Sequence, residues 1–177
     1  MWWATLSAVF VIFAGLPGVG KTAIARELAR EINAVYVRAD TIEQAIRGAG
    51  LSDQQIGGMG YHVARQIAEE NLGLGNVVVT DSVNPWELTR EAYRGAARRS
   101  GVPYLDVEVV CGDPEVHRIR VETRTTDVAG LVLPTWAQVV ERDYQPWVSP
   151  RLKIDTAELT IGEAIAIIRQ HIALALA

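Results

Sequence analysis

A chain of 177 residues, 49% hydrophobic and 21% charged, is long enough to bury one substantial core, which excludes a disordered or fibrous protein. A formal charge of −4 supplies no basic field, so a polynucleotide partner would need a local patch. The single cysteine, Cys111, excludes an internal disulfide, fits a reducing compartment and reads as an apolar filler at a strand end.

The apolar opening from Trp2 to Ala14 has no basic leader and no small-residue cleavage site, and it is too short to cross a bilayer. A cytoplasmic protein is expected, as one domain over residues 1–177. Residues 8–14 form a predicted strand, apolar on both faces and therefore central in a parallel sheet. The strand runs into Gly15-Leu16-Pro17-Gly18-Val19-Gly20-Lys21-Thr22, which fits G-x-x-x-x-G-K-[ST] at every fixed position. Ile24, Leu28 and Ile32 then recur at helical spacing. Glycines let backbone N–H groups curl around phosphate oxygens, and a helix N-terminus adds positive potential. Lys21 would reach the β- and γ-phosphates, and the Thr22 hydroxyl would ligate Mg²⁺. The pattern G-x-G-x-x-G of dinucleotide-binding folds does not occur.

A second strand over 34–38 ends in Arg38-Ala39-Asp40, followed by a short helix over 42–47 and a loop rich in glycine. A longer helix covers 61–74, and a third strand over 76–80 delivers Asp81. Asn84-Pro85-Trp86-Glu87 reads as a helix start, with Asn84 as cap, proline at the first position and glutamate at the third. That helix extends to about residue 100. The fourth strand, 104–111, alternates Leu105, Val107 and Val109 with Asp106 and Glu108, which predicts shallower burial than the first. Asp113-Pro114 opens a helix on which His117, Arg120 and Arg124 share one face. Arg118 sits apart from them, beside Glu115 and Glu122, as a solvated ion pair. A loop over 126–134, a short helix over 135–143 and an irregular stretch over 144–150 follow. A fifth short strand over 152–154 and an amphipathic helix marked by Ile161, Ile165, Ile168 and Ile172 close the chain. Alternating strands and helices predict a three-layer α/β domain.

Ligands of an open α/β sheet gather outside the C-terminal ends of its strands. The phosphate loop, Asp40 and Asp81 all lie there by this reading. Asp40 suits the base that takes the acceptor's proton, unless it only caps a helix. Asp81, closing an apolar strand, suits the metal, unless it only forms a turn, and the two acids' roles are exchangeable. Arg120 and Arg124 would close over the transferring group from a lid spanning about 114–135. Arg38 either clamps an acceptor or solvates a strand end, and Tyr61 either borders the acceptor or packs in the core. Trp136 and Trp147 are expected in the core, with shaping of the acceptor pocket or packing of the lid as the alternatives.

On the segments GLPGVGKT, RADTIEQAI, VVVTDSVNPWELTREA, HRIRVETRTTDVAGLVLPTW and IDTA, the chain resembles the small P-loop kinase-like proteins of the AAA_33 group, relatives of chloramphenicol phosphotransferase, gluconate kinase, adenylylsulfate kinase and the polynucleotide kinase domain. The resemblance implies a P-loop NTPase fold with strand order 2-3-1-4-5, Asp40 as base, Arg120 and Arg124 as lid arginines, and Asp155 and Thr156 beside the adenine. The reaction it implies is ATP- and Mg²⁺-dependent phosphoryl transfer to a hydroxyl of a small molecule. A nucleic-acid 5′-hydroxyl kinase and a nucleotide-gated binding protein are the rivals.

Overall fold

The structure, a computed structural model, describes residues 7–177; the first part of the apolar opening run, Trp2 to Leu6, lies outside the described residues. Five strands build one parallel sheet of order β2-β3-β1-β4-β5. They are β1 (Phe10–Ala14), β2 (Val35–Arg38), β3 (Val78–Asp81), β4 (Tyr104–Val110) and β5 (Leu152–Asp155). Among the described residues, seven helices connect them and an eighth closes the chain: α1 (Lys21–Glu31), α2 (Ala39–Gly48), α3 (Asp53–Ile56), α4 (Met59–Gly73), α5 (Glu87–Arg99), α6 (Pro114–Thr123), α7 (Trp136–Val140) and α8 (Ile161–Ala175).

β1 is the centre of the molecule because every one of its residues is apolar and buried. Val9, Val11 and Phe13 face α1 and α8, while Phe10 and Ile12 face α4 and α5. Each large side chain so buried contributes about 1.5–3 kcal/mol, so the loop leaving this strand starts from rigid ground. The register sets Phe13 and Arg38 beside Asp81, which brings the ends of β1, β2 and β3 level.

Three features differ from the sequence expectations, and a fourth holds with an addition. Asn84 does not cap α5: it is fully buried with φ 48°, and α5 starts at Glu87, whose N–H donates to Gln145 Oε1 across 2.9 Å. β4 is less deeply buried than β1, as its alternation predicts, with Tyr104 exposed and Leu105 and Val110 partly buried, yet Asp106 and Glu108 are themselves buried, because Arg94 meets Asp106 at 2.7 Å and Arg151 meets Glu108 at 2.9 Å. Arg124 lies past the end of α6 in extended conformation, where the chain leaves the helix, so it does not continue the helical face of His117 and Arg120. Trp136 and Trp147 are half-buried: one meets His117 edge-on and the other stacks on Arg90.

Candidate active site

A cleft of about 1460 Å³ opens at the C-terminal ends of β1, β2 and β3. Its floor is the loop between β1 and α1. Gly18 and Gly20 adopt φ 85° and 96°, a region that glycine alone enters freely. No side chain caps α1 and no acid occupies its first turn, so its leading N–H groups remain free for an anion. Lys21 is 8% exposed, and its ammonium donates to Leu16 O across 3.1 Å. Burial lowers its pKa, an effect that the charges of Asp81 and Asp40 oppose. Thr22 lines the same floor.

The acids differ in setting. Asp81 is nearly inaccessible; Tyr36 donates to its Oδ2 at 2.8 Å, and Arg38 Nε stands 3.9 Å from the same oxygen. Burial and the Asp81 charge both push the Tyr36 hydroxyl far above its ordinary range, so it stays a donor. Asp40 lies in the first turn of α2, its side chain 42% exposed to the cleft, with Arg38 Nη2 at 3.4 Å. Arg38 also meets Asp127 at 2.9 Å, so one guanidinium faces three carboxylates. Asp127 in turn binds Arg26 of α1 at 2.5 Å. Nothing in the local sequence around Asp127 signals these partners, which lie 89 and 101 residues away.

The segment after β4 covers the loop. His117 Nε2 lies 2.9 Å from Pro17 O, and since a carbonyl only accepts, that nitrogen carries a proton. Val121 packs so close to Gly18 that a Cβ there would come within 2.4 Å of it. Arg120 turns toward β5, donating to Thr156 Oγ1 at 2.7 Å and Thr156 O at 3.1 Å. Thr156 Oγ1 also sits 2.8 Å from Val19 O. Asp155 accepts from the N–H groups of Gly112 and Ala157, which ties the turn after β5 and lowers its pKa. Arg124 lines the cleft half-buried, and its Nε is buried without a hydrogen-bond partner among the described residues. Burial lowers its pKa while Asp40 opposes the shift. Arg118, as expected, pairs with Glu122 on the surface. Tyr61 lines the cleft and accepts from Asn84 N–H at 3.1 Å; burial raises its hydroxyl to about 12.

No group of three or more His, Cys, Asp or Glu gathers among the described residues to cage a metal. The donor set fits a hard cation that brings its own waters and phosphate oxygens, as Mg²⁺ does. Thr22 would supply a hydroxyl oxygen, and Asp81 retains Oδ1 because Tyr36 and Arg38 both turn to Oδ2.

The family model AAA_33, an AAA domain, matches residues 10–142. Among solved structures, APE1195 is similar at 25% identity with a TM-score of 0.72, covering 97% of this chain and 98% of that one. The Mycobacterium tuberculosis APS kinase CysC, in complex with AMPPNP and APS, is similar at 17% identity and TM-score 0.70, over 93% and 96% of the two chains. A gluconokinase from Sinorhizobium meliloti 1021 is similar at 19% identity and TM-score 0.61, over 97% and 94%. At such identities the two kinases share the fold with this chain. No curated protein matches it in sequence. No helix among the described residues is long and apolar enough to cross a membrane.

Proposed function

This chain belongs to the AAA_33 family, and from that premise we propose an ATP-dependent, Mg²⁺-requiring kinase that transfers the γ-phosphoryl group to a hydroxyl of a small molecule. One observation carries the reading. A single cleft joins the uncapped N-terminus of α1, Lys21 and Arg124, whose Nε has no partner among the described residues, to two carboxylates, Asp40 and Asp81.

The loop from Gly15 to Thr22 holds the triphosphate through backbone N–H groups and Lys21. Arg124 meets the charge that develops on the transferring group, and its Nε finds there the acceptor it lacks. Thr22 and Asp81 would hold Mg²⁺, which when bound neutralises phosphate oxygens. Asp40 is the acid open to the cleft, so it orients the acceptor hydroxyl. As the acceptor oxygen bonds to the γ-phosphorus, the bond from that phosphorus to the bridging oxygen breaks, ADP leaves, and the hydroxyl proton passes to Asp40. Asp81, capped by Tyr36, has no comparable access. Arg120 acts through the turn at Asp155 and Thr156, which it ties to the phosphate loop on the side expected to hold the adenine. The segment 114–135 serves as lid within a single domain.

The test is ADP formation from ATP·Mg²⁺ by the full chain, with and without added hydroxyl compounds. Lys21→Ala abolishes the acceptor-dependent rate and leaves the unfolding midpoint in place; near-normal turnover in that variant sinks the kinase reading. Asp40→Asn lowers turnover about 10²–10⁴-fold at unchanged nucleotide affinity. Asp81→Asn instead raises the Mg²⁺ needed for half-maximal rate, and the opposite pattern exchanges the two acids. Nucleotide binding with no turnover in any mixture identifies a switch.

A further inference from the structure

Glu43 is an ionisable residue of the cleft for which the mechanism has no use. It stands on α2 one turn beyond Asp40, and both line the cleft. Its carboxylate lies against the backbone of α4 at Gly60. A Cβ on Gly60 would fall 2.3 Å from Glu43 Cγ and 2.6 Å from its Oε1, so only glycine leaves that carboxylate its place. No described residue donates a hydrogen bond to it. The guanidinium of Arg47 is engaged by Asp53 at 2.6 Å and Gln44 at 2.6 Å, and Arg142 acts on Glu43 only through its charge. Burial, then the neighbouring charge of Asp40, raises the Glu43 pKa. A half-buried carboxylate without a donor is costly to leave so, and an occupied cleft removes more of its water.

On the reading that this cleft binds a phosphoryl acceptor, we infer that Glu43 recognises a second hydrogen-bond donor of that acceptor, which is a polyhydroxy or amino-hydroxy compound of sugar or cyclitol type. Residues at i and i+3 on a helix stand about 5–6 Å apart, roughly the span across a six-membered ring. Asp40 takes the hydroxyl that is phosphorylated, and Glu43 accepts from a hydroxyl or ammonium on the far side of the ring. A phosphate or sulfate beside the reacting hydroxyl would face two carboxylates, and a lone alcohol would leave Glu43 unsatisfied.

The experiment measures ATP turnover by the full chain with D-glucose, myo-inositol and D-glucosamine, against cyclohexanol and 2-propanol as lone-hydroxyl compounds. Turnover is expected with a member of the first set and not with the second. For that acceptor, Glu43→Gln raises KM about 10–100-fold with kcat within a few fold and ATP affinity unchanged, the size of effect expected when a hydroxyl-binding group loses its partner. Gly60→Ala, which displaces the carboxylate without removing it, raises the same KM. The acceptor lacking the second hydroxyl or amine loses as much against wild type, and nothing further against Glu43→Gln. Preference for the lone-hydroxyl set, turnover of none of these compounds by a chain that binds ATP·Mg²⁺, or an unchanged KM in Glu43→Gln overturns the assignment. Failure of wild type to bind ATP·Mg²⁺ overturns the kinase reading beneath it, and the assignment with it.

Discussion

The two sides of the cleft are built by different means. The phosphate side is shaped by backbone: a fully buried strand, a loop with glycines at positive φ, and an uncapped helix. The side proposed to take the acceptor is shaped by side chains that bridge distant segments. Arg90, fully buried, donates to the carbonyls of Asn84, Pro85, Gln145 and Pro146 and stacks 4.1 Å from the Trp147 ring centroid. It thereby ties the turn before α5 to the irregular stretch after α7, and Trp86 adds a bond to Asp143 at 2.7 Å. A backbone-built site depends on residues adjacent in the chain, whereas a side-chain-built one depends on pairs that only the fold brings together.

Two substitutions break the comparison at its roots. Gly15→Ala should be the more damaging, because Gly15 has φ 141° and a Cβ would stand 2.2 Å from the carbonyl oxygen of Val109. That carbonyl belongs to β4, held in register with β5, and cannot retreat cheaply. A loss of about 4 kcal/mol or more is expected in urea unfolding. Arg90→Ala comes next, at about 3 kcal/mol, since it leaves buried carbonyls without donors. Arg90→Lys should recover less than half of that loss, because a single ammonium cannot fork to both loops.

The same division decides what could be read in the chain before folding. The phosphate loop, the strand order and the alignment of Asp40 and Asp81 at strand ends follow from local pattern plus family resemblance, and the sheet has that order. Asn84 was misleading because Asn-Pro-x-Glu matches a cap, yet tertiary burial gave the Asn84 N–H to Tyr61 and moved the helix start to Glu87. The alternation in β4 correctly gives shallower burial than β1, but it says nothing of the arginines that arrive from other elements to meet Asp106 and Glu108. Arg90, Glu43 and Asp127 carry no signal in the sequence for the same reason: no spacing in the chain connects Arg90 to Trp147, Glu43 to Gly60 or Asp127 to Arg26.

Arg124 sharpens the comparison, since it lines the cleft from just past the end of α6, a segment held by side chains. Arg124→Ala should lower acceptor-dependent turnover about 10²-fold, as loss of a charge donor to the transferring group does, or about 2.7 kcal/mol of barrier. Arg118→Ala, which removes only a surface pair with Glu122, should stay within about twofold. Steady-state rates at saturating ATP check both, and equal losses would take the catalytic cation away from Arg124.

The smallest effect on stability belongs to Asp127, where the loop after α6 meets α1 and β2. Arg38 and Arg26 both donate to its carboxylate and hold its pKa down to about 2. The side chain is 54% exposed and Arg26 51%, so water and salt screen much of the attraction. Asp127→Asn should therefore cost less than about 1 kcal/mol at neutral pH. The sign of the pH dependence follows from the depressed pKa. Unfolded, the carboxyl titrates near its ordinary value of about 3.9. Its stabilising contribution is complete above that value and disappears as pH falls toward the folded pKa of about 2. Unfolding curves of wild type and Asp127→Asn should run parallel from pH 7 to about pH 5 and converge below pH 4. High salt should shrink the gap at pH 7, because the Asp127 carboxylate and Arg26 are both about half exposed. A gap that persists unchanged to pH 2 would mean that Asp127 holds the lid loop by shape rather than charge, and the acceptor side would then owe less to ion pairs than Arg38 and Arg26 imply.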